Sequence, residues 1–386
     1  RPRFPFNELE AFIKPDEELD VIIPKEAENL NQPEPNSKET IEDQAEKSES
    51  GIPAADVIMS RLIKASKVLG EVPGFQKQAR ELSARSESFQ NQTYTLALFG
   101  AFSAGKSSFA NALLGSNLLP VSPNPTTAVI NRILPPSNEH VNGTAVIFAK
   151  TEKMLIDDLN SLWTEEGLKV QDLELAKRQA KSLLAKKKEA LGLCASFLEA
   201  FVNGIDDFKG HLGEIFTVNL DEFAAYATDE SKSCFIEKID LYYDCELTRK
   251  GVILVDTPGA DSINARHTGT SFNYIKHSDA ICFITYYNHP FSRADRTFLD
   301  QLGRVKDSFS RDKMFFLLNA ADLAADEQER ELVVEYLDSQ LRESGIRNPR
   351  IYPISSRSAL QVRTGSEDEN AKQYIHLFDE FEKAFH

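Results

Sequence analysis

The sequence predicts an α/β fold: a doubly wound, mostly parallel sheet with a helical insert and helices flanking it on both sides. Three observations predict it. Apolar, strand-like runs at Thr93–Phe99, Ile236–Tyr243, Val252–Val255, Ala280–Tyr286, Met314–Leu318 and Ile351–Ile354 alternate, in the later part of the chain, with polar segments that suit helices. That is the pattern of a sheet covered on both faces. The first run passes straight into a glycine-rich loop, and the apolar run Phe109–Leu114 follows it. Apolar residues at helical spacing precede the first strand and follow the last.

Residues 1–52 read as an acidic leader or linker. Residues 1–50 hold fourteen acidic and six basic side chains, half of the net charge of −16. Pro24 to Ser50 has almost no large apolar residues and cannot bury enough surface to offset its ordering entropy. Phe4, Phe6, Phe12 and Ile22–Ile23 are its candidate docking residues. Residues 53–90 are expected to form two helices. Ile58, Leu62, Ala65 and Leu69 make one stripe, Pro73-Gly74 breaks it, and Phe75, Ala79, Leu82 and Phe89 make a second. Residues 91–366 hold the sheet, with Ile236–Tyr243 and Val252–Val255 as a candidate antiparallel hairpin. A helical insert at about 150–230 interrupts it and carries the only tryptophan, Trp163. Its basic run Lys177–Ala190 reads as a solvated helix face, because Glu174 and Glu189 flank it, rather than as a membrane-surface helix. Residues 367–386 give a third helix, with Tyr374, Phe378, Phe381 and Phe385 in one stripe. The three helices either cover a core or join as a separate bundle.

Charge and composition exclude some functions. An excess of 60 acidic over 44 basic residues argues against general binding to nucleic acid or anionic lipid. No apolar run approaches the ~18 residues of a membrane span, and the start shows no signal-peptide pattern. Cys194, Cys234, Cys245 and Cys282 match no zinc or redox spacing and are expected to be reduced, as in the cytosol.

Four segments carry chemistry. Gly100-Ala101-Phe102-Ser103-Ala104-Gly105-Lys106-Ser107 fits G-x-x-x-x-G-K-[ST] between a strand and a helix, the context that motif requires. Its small residues let backbone N–H groups surround phosphates at a helix N-terminus. Lys106 is expected at the β- and γ-phosphates, and Ser107 on Mg²⁺. Asp256-Thr257-Pro258-Gly259 ends a later strand, 150 positions beyond Lys106. There Asp256 would hold Mg²⁺ through a water, and the Gly259 N–H would sense the γ-phosphate. Between them, Pro125-Thr126-Thr127-Ala128 offers a threonine, Thr127 by preference, to the metal and the γ-phosphate. Asn319-Ala320-Ala321-Asp322 follows another strand. A carboxylate there accepts from N1 and N2 of guanine, whereas adenine leaves it unpaired at a cost of roughly 1–3 kcal/mol. Ser355-Ser356, after the last strand, is the candidate second base loop.

Together these segments resemble the dynamin superfamily of large GTPases, most closely its bacterial members, over about Ala54 to Phe385. The carrying residues are Phe102–Ser108 with its doubled serine Ser107-Ser108, Pro125–Thr127, Asp256–Ser262 and Asn319–Asp322. The resemblance implies a phosphate-loop GTPase binding GTP or GDP with Mg²⁺, dimerising across its nucleotide face, and coupling hydrolysis to a swinging helical neck built from both flanking regions. It implies a membrane grip in regions outside this chain, a cytoplasmic, peripherally membrane-associated full-length protein, and no nucleic-acid partner. The initial Arg1 and the linker-like leader suit a piece of the second unit of a fused pair. Ser103 matches the serine that in dynamins helps bind a charge-compensating K⁺ or Na⁺. Two departures stand out. Phe102 replaces a water-orienting glutamine, which leaves that water to backbone and Thr127, and Ala320 replaces the lysine of [N/T]-K-x-D. Arg266 and Arg293 are candidates for acting across a dimer.

Two readings follow. One is a self-activating mechanoenzyme that remodels membranes by fusion, fission or maintenance. The other is a switch-type GTPase, a nucleotide-dependent binding module with slow hydrolysis. The flanking helices and the insert favour the first.

Overall fold

The computed structural model describes residues 55–90, 93–101, 103–121, 129–163, 169–187, 191, 193–259, 277–304 and 313–385. The acidic leader, Phe102, the Pro125–Ala128 segment, Ala260–Ser262 and Arg266 lie outside the described residues.

Helices α1 (Ala55–Glu71) and α2 (Gln76–Gln90) fold back on each other at Pro73-Gly74, where Gly74 takes φ 91°. The Ser66 hydroxyl donates to the Ala79 carbonyl at 2.8 Å and pins the pair. Strand β1 (Tyr94–Phe99) then leads into the glycine-rich loop and α3 (Lys106–Leu114). Strands β2 (Ile130–Leu134) and β3 (Thr144–Ala149) follow. The insert comprises α4 (Glu152–Leu162), α5 (Leu173–Lys187), α6 (Leu193–Phe208), β4 (Ile215–Asn219), α7 (Leu220–Thr228) and α8 (Glu230–Ser233). The chain returns through β5 (Ile236–Tyr242), α9 (Glu246–Arg249), β6 (Val252–Asp256), β7 (Ala280–Tyr286) and α10 (Arg293–Arg304). It closes with β8 (Met314–Asn319), α11 (Glu327–Glu343), β9 (Ile351–Ile354), α12 (Ser356–Arg363) and α13 (Glu369–Phe385).

The nine strands form one sheet, ordered β4-β3-β5-β2-β6-β1-β7-β8-β9. From β6 through β9 every pairing is parallel, as is β2 with β5. Antiparallel pairings join β2 to β6 and β3 to both β4 and β5. The mostly parallel sheet expected from the sequence is therefore present. Both faces are covered. One core holds Leu96, Leu98, Ile133 and Leu254 with Phe109 of α3, Phe378 and Phe381 of α13, and the insert's Trp163 and Phe201. The other holds Ala97, Phe99, Val255, Phe283 and Phe316 with Leu299 of α10 and Leu337 and Leu341 of α11. Burial of large side chains on both faces is what excludes water from a parallel sheet.

Two expectations are corrected. The runs at β5 and β6 are not a hairpin: β2 inserts between them and pairs with both. The insert is not wholly helical, because β4 extends the sheet at its edge; its alternating exposure, with Ile215 outward, is that of a strand paired on one side. The aromatic stripe of α13 is spent on the sheet. Phe378 and Phe381 are fully buried, with ring centroids 5.6 and 5.5 Å from that of Phe109. Phe381 also meets Phe315 of β8 and Tyr352 of β9 edge-on. Arg363 of α12 fixes the arrangement. It donates to the Ala112 carbonyl at the end of α3 at 2.7 Å and pairs with Glu382 of α13.

The basic face of α5 behaves as a solvated face: Lys177 pairs with Asp206, and Glu174 pairs with Lys209. Each of those carboxyls is held below its usual range first by its hydrogen bond to the lysine. All four cysteines are free thiols, and burial pushes Cys234 up to about 12.

Candidate functional site

Strand register sets the site. Leu98 of β1 lies opposite Asp256 of β6, Tyr286 of β7 opposite Asn319 of β8, and Asn319 opposite Ile354 of β9. The segments after β1, β6, β8 and β9 therefore emerge together at one end of the sheet. That is where open parallel sheets bind ligands.

The glycine-rich loop needs its glycines for space as well as for backbone freedom. Gly100 has φ 145°, and a Cβ there would stand 2.0 Å from the Ile284 carbonyl oxygen. Gly105 has φ 92°, and its Cβ would stand 2.1 Å from Asn319 Nδ2. Ser103, between them, is exposed at φ 65°. Ala101 is half-buried and Ala104 buried. Lys106 begins α3, buried, with its ammonium donating to the carbonyls of Gly100 and Ala101 at 3.2 and 3.1 Å. Ser107 and Ser108 sit half-buried in the first turn of α3.

Ser107 Oγ donates to Asp256 Oδ2 at 2.7 Å. Asp256 is fully buried, and its Oδ1 has no protein partner among the described residues. Burial pushes this carboxyl up, against the pull of the Lys106 charge and the Ser107 hydrogen bond. A buried carboxylate oxygen without a partner is costly. A hard divalent cation would satisfy it. Among the described residues no three His, Cys, Asp or Glu side chains converge as a metal cage. One hydroxyl and one carboxylate, completed by phosphate oxygens and water, is the donor set Mg²⁺ uses. The residues present fit that ion. Thr257 follows, and its hydroxyl donates 2.6 Å to the Leu98 carbonyl, tying the exit of β6 to β1. Buried Pro258 and Gly259 complete the turn.

The base end is stitched to the phosphate end. Asn319 donates through Nδ2 to the Ala104 carbonyl at 3.0 Å and accepts through Oδ1 from the Ser356 N–H at 3.1 Å. The sequence reading puts Asn319 beside a base; here its amide joins the phosphate loop to the last loop. Ala320 takes φ 64°, turning the chain so that Asp322 stands half-buried on a short 3₁₀ turn, its Oδ1 buried without a partner among the described residues. Ser355 caps α12, accepting from the Ser358 N–H at 3.2 Å and donating to its hydroxyl at 2.8 Å. The Ser356 hydroxyl is buried with no partner among the described residues. Arg293 is exposed at the start of α10. Of the predicted residues, Gly100, Ala101, Ser103–Ser108, Asp256, Gly259, Asn319, Asp322, Ser355 and Ser356 thus share one end of the sheet, while Phe102 and Thr127 lie outside the described residues. The bridging roles of Thr257 and Ser358 have no spacing signature and escape sequence reasoning.

Comparison with known proteins gives the family. The sequence profile of the Dynamin family matches residues 96–321, more than half of the chain. Dynamin-like protein A of Bacillus subtilis (strain 168) is 40% identical over 320 residues, 81% of this chain and 26% of its own length. Dynamin-like protein 1 of Campylobacter jejuni is 26% identical over 260 residues, 66% of this chain and 31% of its own. The chain thus spans about a quarter to a third of the length of these relatives. A solved chain from an oligomerised bacterial dynamin pair, described as a mechanism for the long-range sensing and tethering of membranes, superposes with a TM-score of 0.59. It is 18% identical and covers 86% of this chain and 52% of its own, a likeness of fold.

Proposed function

The chain belongs to the dynamin family, a family of GTPases, and on that premise we propose that it is the GTP-binding and GTP-hydrolysing module of a dynamin-like mechanoenzyme. The observation that carries the reading is the Ser107–Asp256 contact beside the buried Lys106: three groups from two distant segments meet where a phosphate loop requires them. Loop N–H groups and Lys106 bind the phosphates, with Gly100, Ala101, Phe102, Ser103, Ala104 and Gly105 enclosing them and Ser108 extending the first turn. Ser107 and Thr127 would ligate Mg²⁺ and Asp256 would hold it through a water; when bound, the ion would supply charge neutralisation for the phosphates. The Gly259 N–H meets the γ-phosphate. Asp322 reads guanine, a role its unpartnered Oδ1 supports, with Ser355 and Ser356 beside the base and Asn319 holding the two loops in register. Ser103 helps hold a monovalent cation, K⁺ or Na⁺. Thr127 and loop backbone orient the attacking water in place of the Phe102 side chain.

The protein self-associates through its nucleotide face, and the whole protein remodels membranes by fusion, fission or maintenance from the cytoplasmic side. Among the described residues no helix is long and apolar enough to cross a membrane. The reading assigns membrane contact to regions beyond this module and includes no nucleic-acid partner. Hydrolysis measured against protein concentration, with GTP and ATP side by side, tests the proposal. The expected result is a specific rate that rises with concentration for GTP alone. A rate per molecule independent of concentration would instead indicate a switch-type GTPase, and hydrolysis of both nucleotides alike would refute the base assignment.

A further inference from the structure

Asn131 is the one polar residue of β2 left nearly unpaired. The strand reads Ile-Asn-Arg-Ile-Leu, and asparagine is depleted in strand interiors. Arg132, its neighbour, makes a bidentate pair with Asp240 at 2.7 and 2.7 Å. Asn131 is 2% exposed; among the described residues its Nδ2 reaches only the Val129 carbonyl at 3.4 Å, and its Oδ1 is buried without a partner.

The register says where that oxygen lies. β2 runs antiparallel to β6, and Asn131 stands directly opposite Asp256, with Ile133 opposite Leu254 two positions on. Ile133 and Leu254 belong to the core on the α3 face. Side chains alternate along a strand, so Asn131 and Asp256 share that same face, with Cα atoms about 4.5–5.5 Å apart. Ser107 of α3 reaches Asp256 from this side. Two buried oxygens without partners among the described residues, Asn131 Oδ1 and Asp256 Oδ1, therefore belong to facing positions, and the Ser107 hydroxyl bonds the other oxygen of Asp256.

We propose that Asn131 is a positioning residue for the Mg²⁺ site, its Oδ1 placed to accept a hydrogen bond from a water that a bound ion would carry. The inference rests on the GTPase reading and adds a residue to it. It accounts for a polar side chain where packing alone would favour valine or isoleucine, since local violations of pattern concentrate at functional sites. A purely structural amide would instead be satisfied within the protein, as Asn111 is, with its Oδ1 accepting from Leu118 and Leu119 and its Nδ2 donating to the Leu119 carbonyl.

The test uses the whole chain and a fluorescent GDP analogue, with affinity measured in EDTA and across a Mg²⁺ titration. Asn131→Leu keeps the volume and removes the acceptor; the Mg²⁺ concentration needed for half of the affinity gain should rise about tenfold or more, the size of effect that loss of an outer-shell partner produces. Asn131→Asp keeps an acceptor oxygen and should stay within about threefold of the unaltered chain on the same scale. Equal Mg²⁺ dependence in Asn131→Leu and the unaltered chain would overturn the proposal, as would an Asn131→Asp variant as impaired as Asn131→Leu. If Asn131→Leu does not fold, Asn131→Asp alone decides: retained Mg²⁺ dependence supports the role and its loss overturns it. Failure of the unaltered chain to bind GDP at all would sink the GTPase reading itself, a result distinct from unchanged Mg²⁺ dependence in the variant.

Discussion

The ring of Phe381 meets that of Phe109 edge-on at 5.5 Å, so the last helix of the chain lies directly on the helix that follows the phosphate loop. Nucleotide-sensing and carboxy-terminal elements share one core, and Arg363 adds a polar clamp between them by holding Ala112 and Glu382.

Phe381→Ala should therefore destabilise the GTPase domain as a whole, by about 3–5 kcal/mol for a large buried aromatic. Denaturant unfolding of the two proteins measures it. Hydrogen exchange in residues 58–87 should change no more than the global stability does, because α1 and α2 pack on each other. Selective loss of protection there would restore the bundle that the sequence suggested.

Gly105→Ala tests the coupling of the two ends of the site. The added Cβ would stand 2.1 Å from Asn319 Nδ2, in a left-handed conformation that L-residues disfavour. The side chain of Asn319 must move, breaking its bonds to Ala104 and Ser356. The expected outcome is a fall in GTP affinity of at least tenfold together with weakened selectivity for GTP over xanthosine triphosphate, both read by competition binding. Weaker affinity with unchanged selectivity would mean that the two loops respond independently.

Asp322→Asn should shift preference from GTP toward xanthosine triphosphate, because the amide can donate to the carbonyl that replaces the guanine amine. Loss of the charge-assisted pair should weaken GTP by roughly ten- to a hundredfold. Competition binding with GTP, xanthosine triphosphate and ATP would show it, and unchanged selectivity would remove Asp322 from the base site.

The strands that position this site were legible wherever a nearly continuous apolar run ended in a motif: β1 before Gly100, β6 before Thr257, β8 before Ala320. Such strands are buried on both faces and carry the strongest sequence signal. Strands β2, β3 and β4 were not anticipated. β2 is broken in its middle by Asn131-Arg132, and the arginine's charge is met, among the described residues, only by Asp240, 108 positions away. β4 pairs on one side, so its alternating exposure reads as surface. The stripe of α13 was visible, but its destination was not: apolar spacing states that a face is buried without saying against what. Within the site the loop residues stand out in the sequence because the pattern G-x-x-x-x-G-K-[ST] between a strand and a helix admits few residue types. Asn319 was readable only as a base-loop residue, since its bridging role depends on a loop 37 positions away.

One feature of the sheet bears on how the module would carry load. β1 enters from the α1–α2 hairpin at one end and delivers the phosphate loop at the other. It is paired along its length with β6 on one side and β7 on the other, both parallel to it. A pull on the hairpin along the axis of β1 would therefore strain both ladders in shear, with many hydrogen bonds resisting at once, rather than peeling them one by one. In that direction β1 is a stiff tie rod, and a tug at the hairpin would arrive at Gly100 with little stretch on the way.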